Sequence, residues 1–500
     1  MSDSAHSRRN LLKGIGVGAV VVGWSALDGS WVTAEAAPAA SAVVSGAVPP
    51  LDGTLETSPE VLANFAGDFG GLVTGAPWAV LRPGSTQDIV KMVRFARCNG
   101  LKIAVSGRGG SGTDIESHSS YGQAEVPGGI AVDARALGKI YSIGNGYAVV
   151  GAGVTLWQLS DAALKVGQIP PSMTDYLPLS VGGVASLGGF GGTVFKYGLF
   201  NDNVLEMDVV TGEGTLVTGV SATNRPELFH AVLGGAGQVA IIVKAKVRLI
   251  PAPSRAKVYN LYYQDVATYQ ADQEKLLADG RFHHQSGTIQ RKPDNSGWWY
   301  AIEAATFYNP PATPNDNALL RGLHDDRASM TTGDQTFREW TFRVDPFEQF
   351  WKDGGYWAMP HPWLSLFIPA SAVKPLVTAV VAELTPEDLG GGFGIVLPVK
   401  TSKLTHPLVA RPNEPVAYLF DLLRMPNPGD PNVQTYLQRN RKIYDLALTL
   451  GAKRYLVGAI PGMTQDEWRR HFGSAWPFLV AMKRRYDPDS VLTPGQGFFG

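Results

Sequence analysis

The chain has 500 residues, 44% of them hydrophobic and 17% charged, a globular composition long enough for two or three cored domains. A net charge of -1 provides no basic field, which argues against nucleic acid as a partner. No stretch is long and apolar enough to span a bilayer, and the single cysteine, Cys98, excludes an intrachain disulfide.

In chain order, the N-terminus reads as an address. Arg8-Arg9 stands before a weakly apolar stretch from Ile15 to about Trp24, and Ala34-Glu35-Ala36 is a plausible cleavage site. A twin-arginine route carries folded proteins, which suits an enzyme that takes up a bulky cofactor before export. The expectation is an unstructured signal over residues 1–37, a linker over 38–54 and a secreted or otherwise extracytoplasmic protein.

Pro77 to Pro83 reads as a short strand entering a turn. Ser85 then caps a helix over Thr86–Cys98, with Ile89, Met92, Val93 and Ala96 on one face and Cys98 expected to be packed. Leu101 to Val105 reads as a strand, followed by the loop Ser106-Gly107-Arg108-Gly109-Gly110. Consecutive free N–H groups there can form an anion nest. Ile130–Val132, Tyr147–Val150, Leu205–Val210 and Val239–Leu249 read as strands, and Leu156–Val166 as a helix. The loop does not lead directly into a helix with an acid about twenty residues on, so a nicotinamide Rossmann domain is not indicated. No H-E-x-x-H and no CxxC pair occurs, and no metal is expected. Beyond Ser254 aromatics thicken, from Trp298 through Trp340, Trp351 and Trp357 to Trp363. Such residues build cores and can also line a pocket for a planar ligand.

The most informative segment is Thr174-Asp175-Tyr176-Leu177-Pro178-Leu179-Ser180-Val181-Gly182-Gly183, continued by small residues to Gly192. So bare a backbone admits a flat cofactor without Cβ clashes. With Gln168 to Thr174 before it, the segment resembles the flavin-binding half of the cytokinin dehydrogenases, within the vanillyl-alcohol-oxidase-type flavoproteins. Asn203 to Gly212, Leu228 to Gln238, His361 to Pro369 and Tyr486 to Gln496 resemble further blocks of that family, from about residue 75 onward.

The resemblance implies a two-domain α+β fold. An FAD-binding domain would span 55–252 and be rejoined by 455–500, with an antiparallel, helix-covered substrate domain over 253–454. It implies FAD as cofactor, an N6-substituted adenine or another amine as small-molecule substrate, and oxygen or a quinone as electron acceptor. The activity implied is oxidation of a side-chain secondary amine to an imine, hydrolysed to adenine and an aldehyde. A related oxidase of a different amine, alcohol or sugar is the alternative.

Carried over residue by residue, the flavin contacts would be Gly107, Arg108, Gly109, Gly110, His118, Ser119, Gln123, Asp175, Tyr176, Ser180, Gly183, Ser186, Phe190, Ile242, Thr493 and Gln496. The family's loop reads Gly-Arg-Gly-His-Ser, its histidine bonded covalently to the flavin. Gly110 takes that place here, and about eight inserted residues lead to His118, the candidate attachment point; a surface histidine with non-covalently held flavin is the alternative. Asp175 matches the aspartate that faces flavin and substrate nitrogen, and a carboxylate in reach of an amine N–H can take or orient its proton. Taken alone, an Asp before Tyr reads as a turn residue or a helix cap. Glu303 matches an acid at the mouth of the substrate channel and reads equally as a strand-edge carboxylate. The family's Pro and aromatics near the flavin are replaced by Val457-Gly458-Ala459-Ile460-Pro461-Gly462-Met463, a smaller, more apolar wall that leaves the substrate open.

Overall fold

The computed structural model describes residues 21–25, 30–33, 46–107, 121–294 and 296–499. Two small sheets form the first unit. One has the order Thr54–Glu56, Ala79–Arg82, Ile130–Asp133, Ile103–Ser106; its first pair is antiparallel and the others parallel. The parallel crossover is made by the helix Thr86–Cys98, whose buried Ile89, Met92, Val93 and Ala96 lie on one face, as their spacing predicts. Ser85 occupies the N-cap, but its hydroxyl does not cap. It donates to Asp52 instead, while the buried Asp88 accepts from the backbone N–H groups of Asp52, Gly53 and Gly84. Cys98, expected to be packed, is exposed: it lies off the apolar stripe at the last helical position.

The second small sheet is antiparallel, in the order Leu216–Val220, Val204–Thr211, Ala240–Arg248, Tyr147–Gly151, Ile140–Gly144. One apolar core joins both sheets and takes in Trp468, Leu479 and Leu492 from the end of the chain. The helices Gln465–Phe472 and Trp476–Tyr486 thus belong to this core.

Between the two stretches of sequence that build this unit comes an eight-stranded sheet, antiparallel throughout. Its order is Thr331–Thr336, Arg255–Tyr263, Trp298–Tyr308, His284–Arg291, Phe393–Lys400, Val416–Leu423, Leu364–Pro369, Lys453–Arg454. Side chains alternate across it. Tyr418, Phe420 and Leu422 pack into one core with Leu276, Val377 and Tyr444 of the covering helices Val266–Asp279, Ala370–Glu383 and Val433–Thr449. Leu419, Asp421 and Leu423 face the other way and line a cavity.

The N-terminal segment departs from expectation. Val21–Ser25 pairs with Ser30–Thr33 and with Gly46–Ala47. Trp24 is 2% exposed and stacks on Trp78, while Trp31 stacks on Phe95 and donates to the Trp78 carbonyl at 2.7 Å. Part of what reads as an unstructured signal is therefore packed, because its two tryptophans find aromatic partners on the folded unit.

Candidate active site

The segment 174–180 is fixed from both sides. Thr155 and Gln158 form a capping box at the start of the helix Leu156–Leu164. The first N–H groups of that helix, on Leu156 and Trp157, donate to Leu179 and Leu177. Thr174 closes a local turn by donating to the Tyr176 carbonyl at 2.6 Å. After the short helix Val181–Leu187 the chain reverses through Gly188 and Gly189, both at positive φ. Tyr455 Oη accepts from the Gly189 N–H at 3.1 Å and ties this turn to the large sheet.

A long cleft runs between the units. One end is walled by Gln123, Gly182, Ser186, Ile242 and Thr493. Gly107, Ser180 and Gly183 continue it into a cavity of about 320 Å³ bounded by Asp175, Tyr176, Phe190 and three indoles, Trp351, Trp357 and Trp363. The indole donors of Trp351 and Trp363 are turned onto the carbonyls of Gly391 and Arg424. The cleft fits the expected flavin on two counts. A Cβ on Gly107 would meet Ser180 Oγ, the hydroxyl that caps the helix Val181–Leu187, at 2.2 Å, so that wall favours a bare backbone. Gln123 donates to the Ala236 carbonyl, but its buried Oε1 has no partner and would accept from a bound cofactor.

Of the expected flavin contacts, Gly107, Gln123, Asp175, Tyr176, Ser180, Gly183, Ser186, Phe190, Ile242 and Thr493 thus line one continuous cleft. Gln496 does not. Its Oε1 accepts from Arg454 at 2.8 Å and its Nε2 donates to the Leu456 carbonyl, because the buried Arg454 guanidinium requires acceptors. Arg108, Gly109, Gly110, His118 and Ser119 lie outside the described residues.

The charged centre of the site contains residues the sequence did not indicate. Arg343 Nη2 donates to Asp175 Oδ1 at 2.7 Å, and its Nε lies 3.3 Å from Glu303 Oε1. The guanidinium stacks on Trp340 at 3.9 Å. His284 Nε2 lies 3.4 Å from the same Glu303 oxygen, without hydrogen-bond alignment. Burial works to raise the Glu303 pKa, but the Arg343 charge and then His284 outweigh it and hold the carboxyl at about 2. Glu303 also opens on a second cavity of about 730 Å³, which shares Asp175, Ser286, Trp351 and Phe393 with the first and is bounded by the exposed Phe347 and Phe350. The acid expected at the channel mouth and Asp175 are bridged by one arginine. No sequence motif marks Arg343, one cation among aromatics; only the fold brings it to Asp175. Among the described residues no cluster of side chains could hold a metal ion.

Comparison with known proteins follows the same outline. Residues 283–499 match the family model described as cytokinin dehydrogenase 1, FAD and cytokinin binding, and residues 77–219 match an FAD binding domain. The chain is 33% identical, over 89% of its length and 99% of the other's, to an uncharacterized oxidoreductase of the fasciation locus of Rhodococcoides fascians. It is 32% identical to cytokinin dehydrogenase 2 of Arabidopsis thaliana, covering 90% of this chain and 94% of the other. Against cytokinin dehydrogenase 1 of Oryza sativa subsp. japonica the identity is 34%, covering 89% and 92%. The crystal structure of 6-hydroxy-D-nicotine oxidase from Arthrobacter nicotinovorans shares the fold, with a TM-score of 0.67 at 22% identity over 88% of this chain and 96% of that one. A flavin-shaped cleft, both family matches and near-full-length relatives agree: this chain is an FAD-dependent oxidoreductase and belongs to the cytokinin dehydrogenase family.

Proposed function

We propose that the enzyme oxidises the side-chain secondary amine of N6-substituted adenines to an imine, which water converts to adenine and an aldehyde. The observation that carries this reading is Asp175, a carboxylate on the wall of an apolar, indole-lined cavity that joins the flavin cleft. Bound FAD supplies the acceptor for the two electrons that leave the substrate. Oxidation turns a C–H and an N–H into a C=N bond, so positive charge builds on nitrogen until its proton departs. Arg343 engages Oδ1 of Asp175, and no described residue engages Oδ2, which is available to the amine N–H. A carboxylate fixed there stabilises the developing charge and receives or holds the proton. Trp351, Trp357 and Trp363 provide flat apolar walls suited to a purine and keep water from the reacting carbon.

Anaerobic bleaching of the flavin, screened across adenine cytokinins, simple amines and sugars, tests the substrate class. N6-isopentenyladenine is expected to bleach it. Asp175→Asn is expected to slow bleaching by about 10²–10⁴-fold with flavin content unchanged. Bleaching by sugars alone would overturn the amine reading, and an undiminished rate in Asp175→Asn would remove the aspartate from the mechanism.

A further inference from the structure

One buried carboxyl of the substrate cavity has no part in the chemistry above. Asp421 sits on the strand Val416–Leu423, flanked by Ile395 on one side and Ser365 on the other. It is 5% exposed and lines the cavity between Leu419 and Leu423. Its Oδ1 has no hydrogen-bond partner, and neither has the fully buried hydroxyl of Ser365 across the ladder. Ser365 is near enough to act on the Asp421 carboxyl but not aligned as a full hydrogen bond, and so under-satisfied a pair is costly in a wall of leucine, isoleucine, valine and indole. A ligand that hydrogen-bonds them removes that cost.

The position of the pair says which part of a ligand reaches it. The strand carrying Glu303 lies three steps along the sheet from the strand carrying Asp421. At about 4.8 Å per step that is roughly 14 Å. Asp175, which Arg343 bridges to Glu303, lines the same cavity as Asp421. A substrate whose amine meets Asp175 therefore extends one substituent toward Asp421.

We infer that Asp421, with Ser365, is a specificity-determining site that hydrogen-bonds a hydroxyl at the far end of that substituent, so that the enzyme prefers hydroxylated side chains to hydrocarbon ones. The inference rests on the amine reading of the site. The charge state separates a hydroxyl from a cationic terminus. Burial pushes the Asp421 carboxyl up to about 8, against the weaker opposing effect of Ser365. At neutral pH the group holds its proton, and it presents one O–H donor and one acceptor oxygen, the complement of an alcohol. An ammonium would need the carboxylate in a wall that has expelled it.

The test compares N6-isopentenyladenine with its terminally hydroxylated counterpart in stopped-flow flavin reduction. Wild type is expected to favour the hydroxylated substrate by about 10–100-fold in the second-order rate constant, the range set by leaving a buried polar group unmet. Asp421→Leu and Asp421→Ala are expected to abolish that preference with flavin content retained, and Asp421→Asn to keep part of it. An undiminished preference in both apolar variants, or none in wild type, overturns the inference. If neither adenine reduces the flavin, the adenine reading fails on its own. The same ratio is then measured as binding, from the shift of flavin absorption on adding N-benzyl-3-methylbutylamine or its terminally hydroxylated analogue. A hydroxyl preference lost in Asp421→Ala sustains the inference, and equal binding by wild type overturns it.

Discussion

Arg343 makes Asp175 and Glu303 one electrostatic unit, and the unit fixes a pH dependence. The Glu303 carboxyl is held at about 2, so it is ionised at every higher pH. Its contribution to stability is complete above the ordinary glutamate value of 4.5 and is lost as pH falls toward 2. Any acid limb of the reductive rate in the milder range thus belongs to another group. Glu303→Gln is expected to lower the plateau, because Arg343 loses one of two anchors, and to leave the limb at the same pH. Rate–pH profiles of both proteins decide it: a limb that vanishes in the variant would assign the titration to Glu303. At this scale the sequence was legible where residues act in a contiguous run. Asp175, Tyr176, Ser180 and Gly183 announce themselves together between 174 and 183. Arg343 meets Asp175, 168 positions away, and Asp421 faces Ser365, 56 positions away across a strand ladder, and no local pattern encodes such pairs.

Among the elements, the stretch Gly188–Gly192 is closely enclosed. A Cβ on Gly192 would lie 2.1–2.4 Å from the ring atoms of His284. That ring cannot retreat, because Trp340 meets it edge-on at 4.9 Å. Gly192→Ala is expected to cost about 1–3 kcal/mol by overpacking and to weaken the support of Glu303. Thermal unfolding reads the first effect, and an unchanged Tm would mean that the ring finds another place. Elements with a strong apolar period were legible, as in Thr86–Cys98, where structure and expectation share both ends. The next helix stops at Leu164 rather than Val166, since Gly167 at positive φ turns the chain before a further turn can form. Cys98 has an apolar side chain but an angular position on the helix outside the buried stripe, and position decides its exposure.

For the whole molecule, the two-domain α+β architecture was legible because strands, helices and family blocks all pointed the same way. The packing of Trp24 and Trp31 was not, since a weakly apolar stretch behind two arginines reads as an address before it reads as structure. Export by the twin-arginine route remains our proposal, supported by Arg8-Arg9 and by the need to load a bulky cofactor into a folded protein. Replacing both arginines by lysine is expected to retain yellow protein in the cytoplasm, as judged by fractionation. Equal export of the double variant would refute the route.

The last helix and the segment after it complete the first unit. The Ile103 N–H donates to the Val491 carbonyl and its carbonyl accepts from the Thr493 N–H, on either side of Leu492, and Lys483 donates to the carbonyls of Gln238 and Leu492. Residues on either side of these contacts are separated in time as well as in sequence. At about 5–20 residues per second, a ribosome needs roughly 10–50 s to pass from Arg248, the end of the last strand of that unit, to Leu492. Throughout that interval the two nascent sheets wait with the Ile103 backbone lacking Val491 and Thr493, and without Thr493 on the cofactor wall. The cofactor wall is consequently finished by residues that arrive well after the sheets that make up most of the cleft.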